Sequence, residues 1–296
     1  MAVIQETGKA EAPAATAAGE EGGWLETLVR EVKEGRLALP SLPDIALRVR
    51  KAVQDPKRSA SDVARMVQMD PALAARLVQV VNSPLYRGAR PIDNCHTAIT
   101  RLGLKATRNL VVSFTLRNLF QPETRWIADR LKHTWRHSCR VAAIASVLSR
   151  VTPGIDPDRA LLAGLVHDIG ELPVLVHLEQ GAIDLPRAET EALLARLRGA
   201  LGTFVLKAWK FEPDLAEVPK QVENWKRSVP GAADYVDVVQ VAHVHACFGD
   251  ASGKAPPLPE LAAFAKLPLS KLGPDASVEL LAQSAQEINE VIRILQ

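Results

Sequence analysis

The chain has 296 residues, with 36 Lys+Arg against 34 Asp+Glu and a net charge of +2 when histidine is neutral. At roughly 150 residues per domain this is one large domain or two small ones, with enough chain for a substantial core. The near-balanced charge excludes a global electrostatic case for nucleic acid or a membrane surface, and 47% hydrophobic with 24% charged residues is ordinary globular composition. Cys95, Cys139 and Cys247 are far apart, odd in number and free of any CxxC spacing. They therefore read as reduced thiols rather than as a disulfide framework or a zinc knuckle. No run approaches about 18 uninterrupted apolar residues and the start has no apolar h-region, so the expectation is a cytoplasmic protein without a membrane segment.

Residues 1–22 are rich in Ala, Glu and Gly and offer too little apolar surface to offset ordering entropy, so they read as a disordered tail. From Trp24 onward the pattern is helical. Leu25, Leu28, Val29 and Val32 recur at helical spacing up to Gly35, and Ile45, Val49 and Val53 continue after the Leu39–Pro43 turn until Asp55-Pro56. Ser61 is the expected N-cap of a helix holding Val63, Ala64 and Val67, and Pro71 opens the next, which ends at Asn82-Ser83-Pro84. Two helices over 97–102 and 105–119 are separated at Gly103. Gln121-Pro122 marks an internal boundary, beyond which helices are expected over 133–150, 158–169, 190–209, 235–248, 258–266 and 275–295. With 13 aromatic residues and no Asn-Gly or Asp-Gly hairpin turn, strand signals are poor and the fold class is all-α.

The most informative string is Ala163-Gly164-Leu165-Val166-His167-Asp168-Ile169-Gly170. An ionised Asp near the end of an apolar helix needs a partner, and the pair can offer an imidazole nitrogen and a carboxylate oxygen to one cation. His137, on the inward stripe of a long helix, and His243, within Val241-Ala242-His243-Val244, are the candidates for two further ligands. Together they form a His3Asp set suited to a single divalent transition metal, Zn, Fe, Mn or Ni. A metal-free, hydrogen-bonded pair is the competing reading for His167 and Asp168. His133 is assigned a packing or capping role, His96, His177 and His245 have no convergent partners, and Cys139 and Cys247 read as small buried apolar residues.

With these residues in place the chain resembles the HD superfamily of metal-dependent phosphohydrolases, and more specifically the HDOD domain, an HD-related output domain of bacterial signalling. The resemblance runs from about Leu37 to Gln296. It rests on Leu39–Pro43, Asp70-Pro71-Ala72-Leu73, Asn82-Ser83-Pro84-Leu85-Tyr86, Ala98–Gly103, Trp135-Arg136-His137-Ser138 and Ala163–Gly170, in that order. It implies an N-terminal helical subdomain (23–125) packed on an HD-like helical subdomain (126–250), completed by C-terminal helices (251–296). It also implies a signalling output module that binds a protein partner or a small ligand.

Three departures from the family's catalytic pattern point away from hydrolysis. The final ligand position is His243 rather than Asp, Glu171 follows His-Asp-Ile-Gly where many active members carry Lys, and the downstream positions of two-metal relatives fall near Arg198 and Asn224-Trp225, where no histidine stands. A carboxylate at Glu171 would repel a phosphoryl oxygen. No catalytic residue is therefore assigned firmly, Asp168 being the candidate in an active enzyme. The alternative is a mononuclear metal-dependent phosphohydrolase acting on a nucleotide or cyclic dinucleotide. A second alternative, a DNA-binding regulator using 61–117, is disfavoured because the would-be recognition helix carries only Arg76 and Gln79 toward a duplex.

Overall fold

The computed structural model describes residues 21–34, 41–86, 88, 90–119, 121–181, 186–248 and 255–296. Most of the 1–22 tail and the stop at Gly35 lie outside them. Among the described residues all regular structure is helical. The elements are α1 (Glu21–Lys33), α2 (Asp44–Gln54), α3 (Ala60–Gln68), α4 (Pro71–Asn82), α5 (Cys95–Leu116), α6 (Arg125–Arg150), α7 (Pro157–Val166), α8 (Glu171–Glu179) and α9 (Arg187–Ala208). There follow two single turns, α10 (Pro213–Ala216) and α11 (Val218–Gln221), then α12 (Tyr235–Ala246), α13 (Ala262–Lys266), α14 (Pro274–Gln283) and α15 (Ala285–Leu295).

Local chemistry sets most of these boundaries. The Asp70 carboxylate accepts a hydrogen bond from Leu73 N (3.0 Å) and Pro71 takes the first helical position, so α3 stops and α4 starts within three residues. Gly103, at φ 80°, breaks α5 where the sequence placed the division between two helices. The N-cap of α3 is Ser59 rather than Ser61: its hydroxyl accepts from Asp62 N while the Asp62 carboxylate takes the Ser59 N–H. This reciprocal box satisfies two helix-end donors that Ser61 could not reach. The long helix begins at Arg125, two turns before the expected His133, and the segment 275–295 is broken at Ser284 into α14 and α15.

Helices α2–α5 pack as an N-terminal bundle, α6, α7 and α12 form the centre of the second half, and α15 returns to lie against α6 and α4. One apolar core joins the halves, running from Val49, Val63 and Leu77 through Leu110 and Leu148 to Leu161 and Val241, all buried. Each fully buried Leu contributes about 1.5–3 kcal/mol. A smaller cluster seats Leu28 of α1 on Leu193, Leu194 and Leu197 of α9. Across the seam, the Tyr86 hydroxyl donates to Asp158 and Arg50 Nη1 to the Trp209 carbonyl. The run Pro157–Glu179 is long and apolar enough to span a membrane by composition, and it is mostly buried within the protein. Arg76 of α4 lies over the Phe114 ring, 5.9 Å from its centroid.

Helix α7 packs tightly on α6. A Cβ at Gly164 would fall 2.5 Å from Ala142 Cα, a contact that real Cβ atoms do not make. The absent side chain is what lets α7 carry His167 and Asp168 against α6. Gly164→Ala is expected to lower stability by about 1–3 kcal/mol through overpacking against rigid backbone, measurable by denaturant unfolding; a loss below about 0.5 kcal/mol would contradict this account of the helix contact.

Candidate metal centre

Three helices deliver three imidazoles to one point. His137 comes from the middle of α6, His167 caps the C-terminus of α7, and His243 lies on the last turn of α12. His137 Nε2 stands 3.3 Å from His243 Nδ1, and His243 Nδ1 stands 3.4 Å from His167 Nε2. One ring nitrogen from each lies within 4.8 Å of the other two. Donors at about 2.0–2.1 Å from a shared ion at tetrahedral angles are separated by about 3.4 Å, so the spacing fits one transition metal.

Tautomers are set by the surroundings. His167 Nδ1 lies 2.7 Å from the Gly164 carbonyl, which takes the Nδ1 proton and directs Nε2 into the cluster. Burial, reinforced by charge on His167, holds His137 down at about 4 and His243 at about 3. Both rings are therefore neutral near pH 7 and present lone pairs rather than protons.

Asp168 joins the cluster from one side. Its Oδ2 is 3.2 Å from His167 Nε2, while Oδ1 turns to Arg198 Nη1 at 3.4 Å. Burial opposes its ionisation, but His167 and Arg198 outweigh burial and hold the carboxyl well below its usual range. The sequence grouped Asp168 with the three histidines as an equal ligand. In the structure the three imidazoles form the compact set, with Asp168 Oδ2 beside the His167 Nε2 donor at 3.2 Å and Oδ1 turned to Arg198.

The remaining wall was not read from the sequence. Arg130, Thr134 and His137 share one face of α6 at i, i+4 and i+7. Arg130 Nη2 and Nε donate to the two Glu171 oxygens at 2.6 and 3.1 Å, and Thr134 Oγ1 adds a bond of 2.6 Å. Glu171, 1% exposed, is thus a neutralised, clamped carboxylate and not the free charge whose repulsion of phosphate was anticipated. Arg198 of α9 reaches Asp168, Glu171 (3.6 Å) and Glu223. A Cβ at Gly170 would collide with the Arg198 carbonyl at 1.8 Å, so the bare Gly170 backbone is what seats α9 beside the His-Asp turn.

These residues line an open cavity of about 330 Å³, together with Trp225, whose ring centroid is 5.8 Å from that of His243. His133 is exposed and lines the same cavity, not the core. Cys247 also lines it, half-buried, with Sγ 3.6 Å from His243 Nε2, so it is not a core residue like Cys139. The other histidines stand apart: His177 pairs with Glu31 at 3.1 Å, His245 lies 3.1 Å from Ser277 Oγ, and His96 is exposed.

The HDOD domain family profile matches residues 39–224. The chain belongs to the HDOD domain family. A crystal structure from Shewanella amazonensis SB2B, provisionally named a metal-dependent phosphohydrolase, is similar over 93% of this chain and 99% of its own, at 28% identity and a TM-score of 0.77. An HDOD domain protein of unknown function from Geobacter sulfurreducens is similar over 91% and 96%, at 25% identity and a TM-score of 0.63. A Treponema pallidum (strain Nichols) protein is 28% identical over 139 residues, which are 45% of this chain and 26% of that relative. The HDOD match starts before α2 and ends just after Glu223, so it includes His137, His167 and Asp168 but not His243.

Removing one member of the Arg130–Glu171 pair is expected to be asymmetric. Arg130→Ala leaves a buried charge partly uncompensated and should cost roughly 2–3 kcal/mol, below the usual range for a broken buried pair because Thr134 and Arg198 remain. Glu171→Gln, which keeps hydrogen-bonding capacity, should cost less. Equal losses in chemical denaturation would contradict the clamp.

Proposed function

We propose that this HDOD chain is a bacterial signalling output module whose cavity holds one divalent transition metal at His137, His167 and His243 and works by binding a protein partner or small ligand. The observation that carries the reading is the state of the cavity's carboxylates. Glu171, a buried acid at the centre, is already committed to Arg130 and Thr134, and Asp168 turns Oδ1 to Arg198 while Oδ2, 3.2 Å from His167 Nε2, faces the ion position. A general base must be free to take a proton within hydrogen-bond reach, and acids fixed in ion pairs are poor candidates. Neutral imidazoles, by contrast, suit Zn, Fe or Ni.

A bound ion of this kind supplies Lewis acidity and can anchor an anionic group. The chain's own residues would shape what docks there: Trp225 offers an apolar ring face and the Arg130 and Arg198 side chains fix the acidic wall. The second reading, a mononuclear phosphohydrolase acting on a nucleotide or cyclic dinucleotide, is favoured by the likeness to the Shewanella protein at 28% identity. In that case Asp168 would be both ligand and proton handler.

Elemental analysis of purified, tag-free protein beside His167→Ala tests the metal, and turnover of a generic phosphodiester by the loaded protein separates the two readings. The expected result is about one transition metal per chain, lost in His167→Ala, with no turnover. Metal-dependent turnover abolished by Asp168→Ala would establish the hydrolase instead, and no metal after growth in supplemented medium would overturn the site. Despite burial, Asp168 raises the affinity of His167 for a proton. That proton competes with the ion, so apparent metal affinity should rise with pH through the neutral range. Chelator competition at several pH values reads this directly, and a pH-independent affinity would contradict it.

A further inference from the structure

The carboxylates of Asp168, Glu171 and Glu223 come from the α7–α8 turn, the start of α8 and the segment after α11, and all three converge on one cation, the Arg198 guanidinium. This acidic group shares a wall with the imidazole cluster. Asp168 Oδ2 faces His167 Nε2 at 3.2 Å, and Glu223 Oε1 stands 4.0 Å from His243 Nε2. The cavity wall carries four carboxylates, Asp168, Glu171, Glu191 and Glu223, against only two guanidiniums, Arg130 and Arg198.

Arg198 meets its three carboxylates unevenly: Nη2 donates closely to Glu223 Oε1, while its other nitrogens are poorly matched. Its Nε is buried and has no hydrogen-bond partner. Nη1 approaches Asp168 at 3.4 Å and Glu171 at 3.6 Å, longer than the roughly 2.7–2.9 Å of a charge-assisted bond. A guanidinium recognises carboxylates best as a planar fork meeting one of them edge-on, as Arg130 meets Glu171. Arg198 instead places one nitrogen between two carboxylates and the other on a third. Oxygens from several elements gathered around one positive centre are the environment of a hard divalent cation.

We infer that Arg198 is a built-in cation filling a second ion position, lined by the oxygens of Asp168, Glu171 and Glu223, and that it limits the cavity to the single ion at the imidazoles. The positive charge is supplied by the chain, so the acidic wall is compensated without an exchangeable ion, and the site beside it keeps a fixed count. The imidazole site is the one proposed above; the count at the carboxylates is tested separately. Removing the guanidinium should open that position to Mn²⁺, whose preference is for carboxylate oxygen.

The full chain is incubated with Zn²⁺, desalted and then titrated with Mn²⁺, the free aqueous ion being counted by electron paramagnetic resonance. Wild type is expected to leave Mn²⁺ free, Arg198→Lys to behave as wild type, and Arg198→Ala to take up one Mn²⁺ per chain, with affinity at least about tenfold above wild type. Should Arg198→Ala be isolated unfolded, Arg198→Gln carries the same test with a neutral side chain that still hydrogen-bonds. Failure of the neutral variant to gain Mn²⁺, or uptake by wild type, overturns the inference. The zinc content of the wild type reads the three-imidazole site independently, so its failure is distinguishable from a failure of the proposed role of Arg198.

Discussion

An ionised carboxylate in an apolar helix junction must be compensated locally, and Asp168 is that carboxylate. It is 4% exposed and follows α7, whose Ala160–Val166 stretch is buried and apolar. Its desolvation would cost several kcal/mol if unopposed. The compensation comes from His167 on one side and Arg198 on the other, and those two contacts account for much of the surrounding architecture. His167 needs its Nδ1 proton accepted by the Gly164 carbonyl, and Arg198 needs α9 to approach the His-Asp turn closely enough to reach it. Gly164 and Gly170 each provide a backbone surface where any side chain would collide with the neighbouring helix.

That same requirement shapes the chemistry of the cavity. Compensating Asp168 and Glu171 with arginines ties up the acids, while desolvation keeps His137 and His243 neutral and available as donors. The cavity therefore has two halves: an imidazole half with lone pairs converging on one point, and a carboxylate half already filled with positive charge. Binding fits such a division better than proton transfer does.

Much of the fold was legible in the sequence because it is written locally. Helical periodicity, the Asp70-Pro71 cap and the break at Gly103 depend on residues within a turn of each other. Boundaries went astray where two nearby side chains could serve, as with Ser59 and Ser61, or where a polar helical turn precedes the apolar stripe, as in Arg125–Lys132. The three histidines were singled out by their placement on apolar stripes and by resemblance to the family. Arg130, Arg198 and Glu223 were not assigned roles, because their partners lie 25 to 61 residues away and nothing in a local pattern distinguishes a clamping arginine from a solvated one. Spacing marked Arg198 and Asn224-Trp225 only as places lacking histidine; a guanidinium among three carboxylates is a property of the packed helices.

The central claim is that three imidazoles, and neither the Cys247 thiol nor a carboxylate cage, hold the cavity's single ion. X-ray absorption spectroscopy at the edge of the metal found in the purified protein tests this most directly. The account predicts a shell containing three imidazole nitrogens near 2.0–2.1 Å with no sulfur scatterer at about 2.3 Å. A sulfur shell, or an oxygen-only shell lacking the outer-ring scattering of histidine, would contradict it.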